Sequence, residues 1–129
     1  MENNLKYLVL GYRKYTGTRQ RELAEELEVP IEIVTSLETG TYRHPTERLI
    51  NKIKKLTAEF DQHDLIHIGR GYRIHDELGP DFKYFLRGLE KVRGINPNEL
   101  KRLPTEECYR VIGSVNLDEF EVMKAGIQA

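Results

Sequence analysis

The sequence predicts a mainly α-helical protein. Apolar residues recur at helical spacing along most of the chain, and capping residues interrupt that pattern at intervals. The first predicted helix, residues 4–15, carries apolar residues at the i, i+3, i+4 and i+7 positions: Leu5, Leu8, Val9 and Tyr12. Thr46 can cap a further helix at its start, and Gly40 and Gly94 stand where helices are expected to end.

Residues 16–45 predict two short helices joined by a tight turn. The second helix is expected over residues 19–27 and the third over residues 30–39, with Pro30 at its first position, where a missing N–H is tolerated. The apolar positions of this segment are Leu23, Ala24, Leu27, Val29, Val34 and Leu37. Ala24 is small, as a close crossing of two helices requires. A fourth helix follows Thr46.

This segment resembles the helix-turn-helix of the phage-repressor and Cro family, also called xenobiotic-response-element-like. The matching residues are Gly17, Gln20, Glu22, Leu23, Ala24, Leu27, Val29, Val34, Leu37, Glu38, Gly40 and Pro45. The resemblance covers about residues 5–60 and implies a repressor-like head of four to five helices. Glu28 occupies the place of the usual turn glycine, and the loop after Gly40 is slightly long.

The resemblance also implies a role for individual side chains. The third helix would enter the major groove of double-stranded DNA and read base edges through Ile31, Glu32, Thr35 and Ser36. The sugar-phosphate backbone would meet Arg19, Gln20, Arg21, Thr39, Tyr42, Arg43 and Lys52. The commonest specific contact, arginine to guanine, is absent from this helix.

The charge pattern allows two interpretations. The chain carries a net charge of −1, yet basic residues flank the third helix on both sides, among them Arg13 and Arg21 before it and Arg43 and Arg48 after it. Six glutamates, the last of them Glu38, lie between Arg21 and Arg43. The flanks could clamp phosphates around a reading helix, because DNA meets a face of a protein and not its average charge. The alternative is a solvated surface of mixed charge.

Residues 61–129 resemble no family that we recognise, and we expect residues 62–129 to form a small helical module. Two β-prone runs, residues 65–68 and 72–74, flank the tripeptide 69–71 (Gly-Arg-Gly), which predicts a short β-hairpin near residues 65–75; an irregular loop is the alternative. A later helix carries an apolar stripe of Phe82, Phe85, Leu86 and Leu89. This stripe predicts a dimer interface or, equally, a core.

No motif for catalysis is present. The chain has no Walker loop, dinucleotide fingerprint or nucleophile signature, and its adjacent carboxylates point apart on a helix. The four histidines predict no metal site, although His67 and His75 with a carboxylate would revive one. We therefore expect no enzyme, cofactor or metal. A single cysteine, Cys108, excludes an intrachain disulfide.

Together these observations predict two domains, residues 1–61 for DNA binding and residues 62–129 for dimerisation or for binding an effector or partner. The expected function is a sequence-specific transcriptional regulator, a repressor that binds a palindromic operator as a homodimer. The alternative is a protein-interaction module that keeps the same fold, such as an antirepressor or a regulatory partner. No apolar run is long enough to span a membrane and no signal peptide is expected, so we expect a cytoplasmic location.

Overall fold

A computed structural model describes residues 4–42 and 44–115. These residues form eight α-helices and one 3-10 turn, and they contain no β-strand. The helices are α1 Leu5–Thr16, α2 Gln20–Leu27, α3 Ile31–Thr39, α4 Glu47–Leu56, α5 Gln62–Leu78, α6 Phe82–Arg93, α7 Pro97–Arg102 and α8 Thr105–Gly113, with the 3-10 turn at Gly79–Asp81. The predicted mainly α-helical class is confirmed.

The helices begin and end at residues suited to those positions. The hydroxyl of Thr46 accepts a hydrogen bond from the Leu49 N–H at 3.2 Å, and the amide oxygen of Asn96 accepts one from the Asn98 N–H at 2.8 Å. Both side chains satisfy N–H groups that have no partner inside the helix. Gly40 adopts a left-handed conformation at the end of α3, with φ 78°.

The predicted β-hairpin near residues 65–75 is wrong, because this segment lies inside the long helix α5. Asp61 starts the helix by accepting a hydrogen bond from the Asp64 N–H at 3.2 Å. Gly69 and Gly71 are not turn residues; both are buried. Two residues apart on a helix are rotated by about 200°, so the two glycines face nearly opposite sides of α5.

Each glycine of α5 permits close contact with a different helix. A methyl group on Gly69 would overlap the backbone carbonyl of Tyr7 in α1, and one on Gly71 would overlap that of Tyr109 in α8. The crossings are reciprocal, since Gly11 of α1 and Gly113 of α8 meet backbone carbonyls of α5 in the same way. Helices α1 and α8 therefore run antiparallel to α5 on opposite sides of it.

The two crossings share a short sequence pattern, Tyr-x-Val-x-Gly. It occurs at residues 7–11 in α1 and again at residues 109–113 in α8. In both copies the tyrosine carbonyl meets a glycine of α5, and the glycine meets a carbonyl of α5. The pattern thus marks the two helices that α5 holds.

Buried apolar residues form two clusters. The first core combines residues of α1 to α4 with Leu65 of α5: Leu5, Leu8, Val9, Tyr12, Leu23, Ala24, Leu27, Val34, Leu37, Leu49 and Ile53. The second core comprises Ile74, Phe85, Leu89, Leu100, Ile112 and Val115. Helix α5 contributes to both, and the boundary predicted at residues 61/62 falls just before it.

Candidate nucleic-acid interface

The turn between α2 and α3 is short and is made without glycine. Glu28 takes a left-handed conformation with φ 58°, which costs a non-glycine residue conformational energy. The N–H of Val29 donates to the Ala24 carbonyl at 3.0 Å and closes the end of α2. Pro30 caps α3, which begins one residue later than the sequence predicts. Three residues, 28–30, therefore connect α2 to α3.

The inner face of α3 is fixed to the first core. Val34 is fully buried and Leu37 is 3% exposed. Beside them lies a buried carboxylate, Glu38, whose Oε1 accepts a hydrogen bond from Arg13 Nε at 2.6 Å. Its Oε2 accepts from Gln20 Nε2 at 3.3 Å. One carboxylate thus joins α1, the start of α2 and the end of α3.

The outer face of α3 presents three of the four predicted base-reading residues. Ile31 is 39% exposed, and Glu32 and Thr35 are exposed as well. Ser36 is half-buried, and its backbone carbonyl accepts hydrogen bonds from the next two residues after Gly40. The exposed side chains therefore offer the branched apolar group of Ile31, the carboxylate of Glu32 and the hydroxyl of Thr35.

The residues predicted to meet the DNA backbone divide into three groups. Arg19, Arg21 and Thr39 are exposed. Gln20 is half-buried with its amide on Glu38, and Tyr42 is half-buried against the first core, so both act at least in part inside the fold. Arg43 lies outside the described residues.

Lys52, the remaining residue predicted to meet the DNA backbone, is paired within the fold. Its Nζ donates to the Leu27 carbonyl at 3.2 Å and to Glu28 Oε2 at 3.0 Å. This hydrogen bond lowers the pKa of the Glu28 carboxyl. Lys52 therefore closes the carboxyl end of α2 beside the strained turn, a contact that depends on the left-handed Glu28.

The predicted dimer stripe is largely core. Phe85 is fully buried and Leu89 is 1% exposed within the single chain, so neither can offer surface to a second copy. Phe82 and Leu86 are half-buried against the same second core. The ring of Phe82 also meets His75 edge to face, with centroids 4.6 Å apart. The apolar stripe of α6 is broad because α6 shares the second core with residues of α5, α7 and α8.

The histidines do not gather into a site. Within residues 4–42 and 44–115, no group of three or more His, Cys, Asp or Glu side chains is placed to hold a metal ion. His67 of α5 is half-buried, and this burial lowers its pKa. His75 instead meets the rings of Phe82 and Tyr109 edge to face.

Sequence reasoning missed the pair formed by Arg13 and Glu38. Arg13 counted as part of a basic flank and Glu38 as part of an acidic centre. A signal was present, because Glu38 follows Val34 and Leu37 at the i+4 and i+1 positions and so continues the buried stripe of α3. A charged residue in such a stripe requires a partner.

A scan against protein-family models found no match, and neither did searches of curated proteins and of solved structures. In the part of the chain that the structure describes, none of the helices combines the length and the apolar character that crossing a bilayer demands.

Proposed function

We propose that this chain is a sequence-specific regulator of transcription that binds double-stranded DNA. In this proposal α2 and α3 form a helix-turn-helix of the repressor and Cro type, and α3 enters the major groove. The observation that carries it is the two-sided character of α3. Its inner face is fixed by Val34, Leu37 and Glu38, while Ile31, Glu32 and Thr35 point outward near its start.

The exposed side chains suit base edges in the major groove. Ile31 can contact thymine methyl groups, Glu32 can accept a hydrogen bond from cytosine N4, and Thr35 can bond to more than one base. A reading helix must also be held in a fixed position, since a shift of the helix would move all of its base contacts together. The hydrogen bonds of Glu38 to α1 and α2 support such a fixed position.

Phosphate contacts would come from the rim of α3. Arg19 and Arg21 stand at the start of α2, and Thr39 stands at the end of α3. We propose that these residues, together with Arg43, set the register of the protein on the duplex. Repression is the proposed outcome because occlusion of a promoter requires binding alone.

We propose that the protein acts as a homodimer on a palindromic operator. A single α3 offers few base contacts, and two half-sites about one helical turn apart double them. Residues 62–129 would supply the contact between the two copies or bind an effector. The proposal includes no cofactor and places the protein in the cytoplasm.

The test is selection of bound duplexes from a random library, carried out with the full chain and two variants. Glu32→Ala removes a carboxylate from the outer face of α3, and Glu25→Ala removes one from the exposed face of α2. We expect an enriched motif for the full chain, relaxed preference at one or two positions for Glu32→Ala, and an unchanged motif for Glu25→Ala. An unchanged motif for Glu32→Ala contradicts the proposed role of α3.

The acidic surface of this region favours a second candidate, a protein-interaction module. Between Arg19 and Gly40 the chain carries two arginines against five exposed glutamates: Glu22, Glu25, Glu26, Glu28 and Glu32. Such a surface repels phosphates and suits a basic protein partner. Failure to enrich any duplex in the library selection would favour this candidate.

A further inference from the structure

One cationic segment of this chain lies far along the sequence from α3. The segment that contains α6 and α7, residues 82–103, carries six lysines and arginines against two glutamates. The segment that contains α2 and α3, residues 19–40, has the reverse balance, with two arginines against six glutamates. Residues 19–40 therefore attract phosphates weakly, and if the protein binds DNA, part of its long-range attraction to phosphates must come from elsewhere on its surface.

Helix α6 places two of these cations beside an exposed ring and a third one turn further along. Lys83, Tyr84, Arg87 and Lys91 are all exposed, and Tyr84 is 39% exposed. Lys83 Nζ lies 5.1 Å from the centroid of the Tyr84 ring, and Arg87 Cζ lies 5.5 Å from it. The aromatic ring attracts both cations and keeps them close together. The three cations are four residues apart, so they form a row with steps of about 6 Å.

These cations have no acidic partner in the part of the chain that the structure describes. Ion pairs there involve other cations, and neither Lys83, Arg87 nor Lys91 is among them. Arg93 differs, because it is bonded to Ser114. Among the residues that the structure describes, the exposed face of α6 is therefore a row of positive charges that no ion pair neutralises.

The buried face of α6 distinguishes between two polyanions, a lipid surface and duplex DNA, that could bind its exposed face. Phe85 and Leu89 are buried in the second core, so α6 has no free apolar face with which to enter a lipid surface. A row of cations about 12 Å long matches a partner with regularly spaced charges. Duplex DNA carries one charge for about every 1.7 Å of its axis, and it requires no apolar contact.

We propose that the exposed face of α6, centred on Lys83, Tyr84 and Arg87, is a second DNA-binding surface that contacts backbone phosphates of duplex DNA. This inference rests on the proposed function, to which it adds the source of affinity. Helix α3 would select the sequence, while α6 would supply attraction that is independent of sequence and sensitive to salt. The acidic surface around α2 would then limit non-specific binding by the head itself.

The test compares two charge-matched double variants of the full chain. Lys83→Gln with Arg87→Gln removes two charges from the proposed surface, and Lys54→Gln with Lys55→Gln removes two exposed charges from α4. Binding to a labelled random-sequence duplex is followed by fluorescence anisotropy between about 50 and 200 mM salt. We expect the α6 pair to lower affinity at least tenfold and to reduce the salt slope by about 1.8, and the α4 pair to change neither. Circular dichroism melting of both variants verifies that each is folded.

The outcomes separate this inference from the proposed function. An unchanged salt slope for the α6 pair overturns the inference, and so does an equal loss for the α4 pair. Tighter binding of the wild-type chain to a single strand of equal length also overturns it. If the α6 pair loses affinity while Glu32→Ala retains the wild-type selected motif, the inference stands and the proposed reading role of α3 falls. Absence of duplex binding by the wild-type chain at about 50 mM salt overturns both.

Discussion

The carboxylate of Glu38 lies between the side chains of Arg13 and Gln20, with 6% of its side chain exposed. A charge in this position is stable because its partner is charged as well and because a second donor satisfies the other oxygen. Since these donors come from α1 and α2, the residue couples the position of α3 to the rest of the first core. At the scale of single residues, this contact governs the geometry of the proposed reading helix.

Removal of this carboxylate is expected to destabilise the protein and to weaken DNA binding. Glu38→Ala leaves Arg13 and Gln20 without their acceptor, and we expect the free energy of unfolding in urea to fall by about 3 kcal/mol. The double variant Arg13→Met with Glu38→Leu should recover most of this loss, because apolar side chains of similar volume replace the pair. A loss below about 0.5 kcal/mol for Glu38→Ala, as for an exposed ion pair, would contradict the account.

His67 is expected to make stability depend on pH. Burial lowers the pKa of His67 below its ordinary value of 6.5, so the unfolded chain binds the proton more readily than the folded one. The contribution of His67 is therefore fully present above pH 6.5 and is lost as the pH falls through the lowered pKa. Urea unfolding at about pH 7.5 and 5.5 should show a smaller loss of stability on acidification for His67→Gln than for the wild type. Equal losses would contradict this assignment.

Helix α5 is the element that joins the two cores. It contacts α1 through Gly69 on one side and α8 through Gly71 on the other, and both contacts bring backbones together without side chains between them. Close-packed backbones leave little room for adjustment, because the atoms that would have to move belong to whole helices. Helix α5 therefore holds α1 and α8 in a fixed relation.

Substitution of either α5 glycine by alanine tests this packing. In an exposed helix interior the change from glycine to alanine stabilises by roughly 0.5–1 kcal/mol. Here we expect Gly69→Ala and Gly71→Ala each to destabilise by at least about 2 kcal/mol in urea unfolding, because the added methyl group meets a backbone carbonyl. A neutral or stabilising effect would show that the helices do not cross as closely as described.

The helices with local signals could be predicted from the sequence, whereas the contacts between distant helices could not. Thr46 begins and Gly40 ends the helices expected of them, since a cap involves neighbours in the chain. From local sequence alone, the Gly-Arg-Gly segment is equally consistent with a turn and with a helix whose two glycines lie against other helices. Only the positions of α1 and α8, which are remote in sequence, decide between the two.

In the proposed DNA-binding site, too, some features could be predicted from the sequence and others could not. The resemblance implies an outward position for Ile31, Glu32 and Thr35, and the structure places all three at the surface. The pairing of Lys52 with Glu28 depends on a left-handed residue at a position where glycine was expected. A backbone conformation that a residue type seldom adopts cannot be read from that residue alone.

At the level of the whole molecule, α5 bears on whether the chain divides into two domains at residue 61. Leu65 belongs to the first core and Ile74 to the second, so a cut at residue 61 would leave α1 without the helix that covers it. Burial of apolar surface is the main source of stability. The first core therefore gains part of its stability from residues beyond the predicted boundary.

Truncation measures that dependence. We expect a fragment of residues 1–78, which keeps α5, to unfold cooperatively in urea, and a fragment of residues 1–61 to be markedly less stable. Far-UV circular dichroism follows both transitions. Equal urea midpoints for the two fragments would show that the first four helices form an independent domain and that α5 adds nothing to it.

The central claim is that α3 meets duplex DNA through its exposed face, and amide chemical-shift mapping tests it most directly. The full chain, labelled with ¹⁵N, is titrated with a duplex obtained from the library selection. With the selected duplex, we expect the largest chemical-shift changes at the amides of residues 31–36 and smaller changes at Gln20 and along α6. With a scrambled duplex, we expect chemical-shift changes along α6 and none at residues 31–36. Unmoved amides of α3 in the presence of a bound, selected duplex would contradict the central claim.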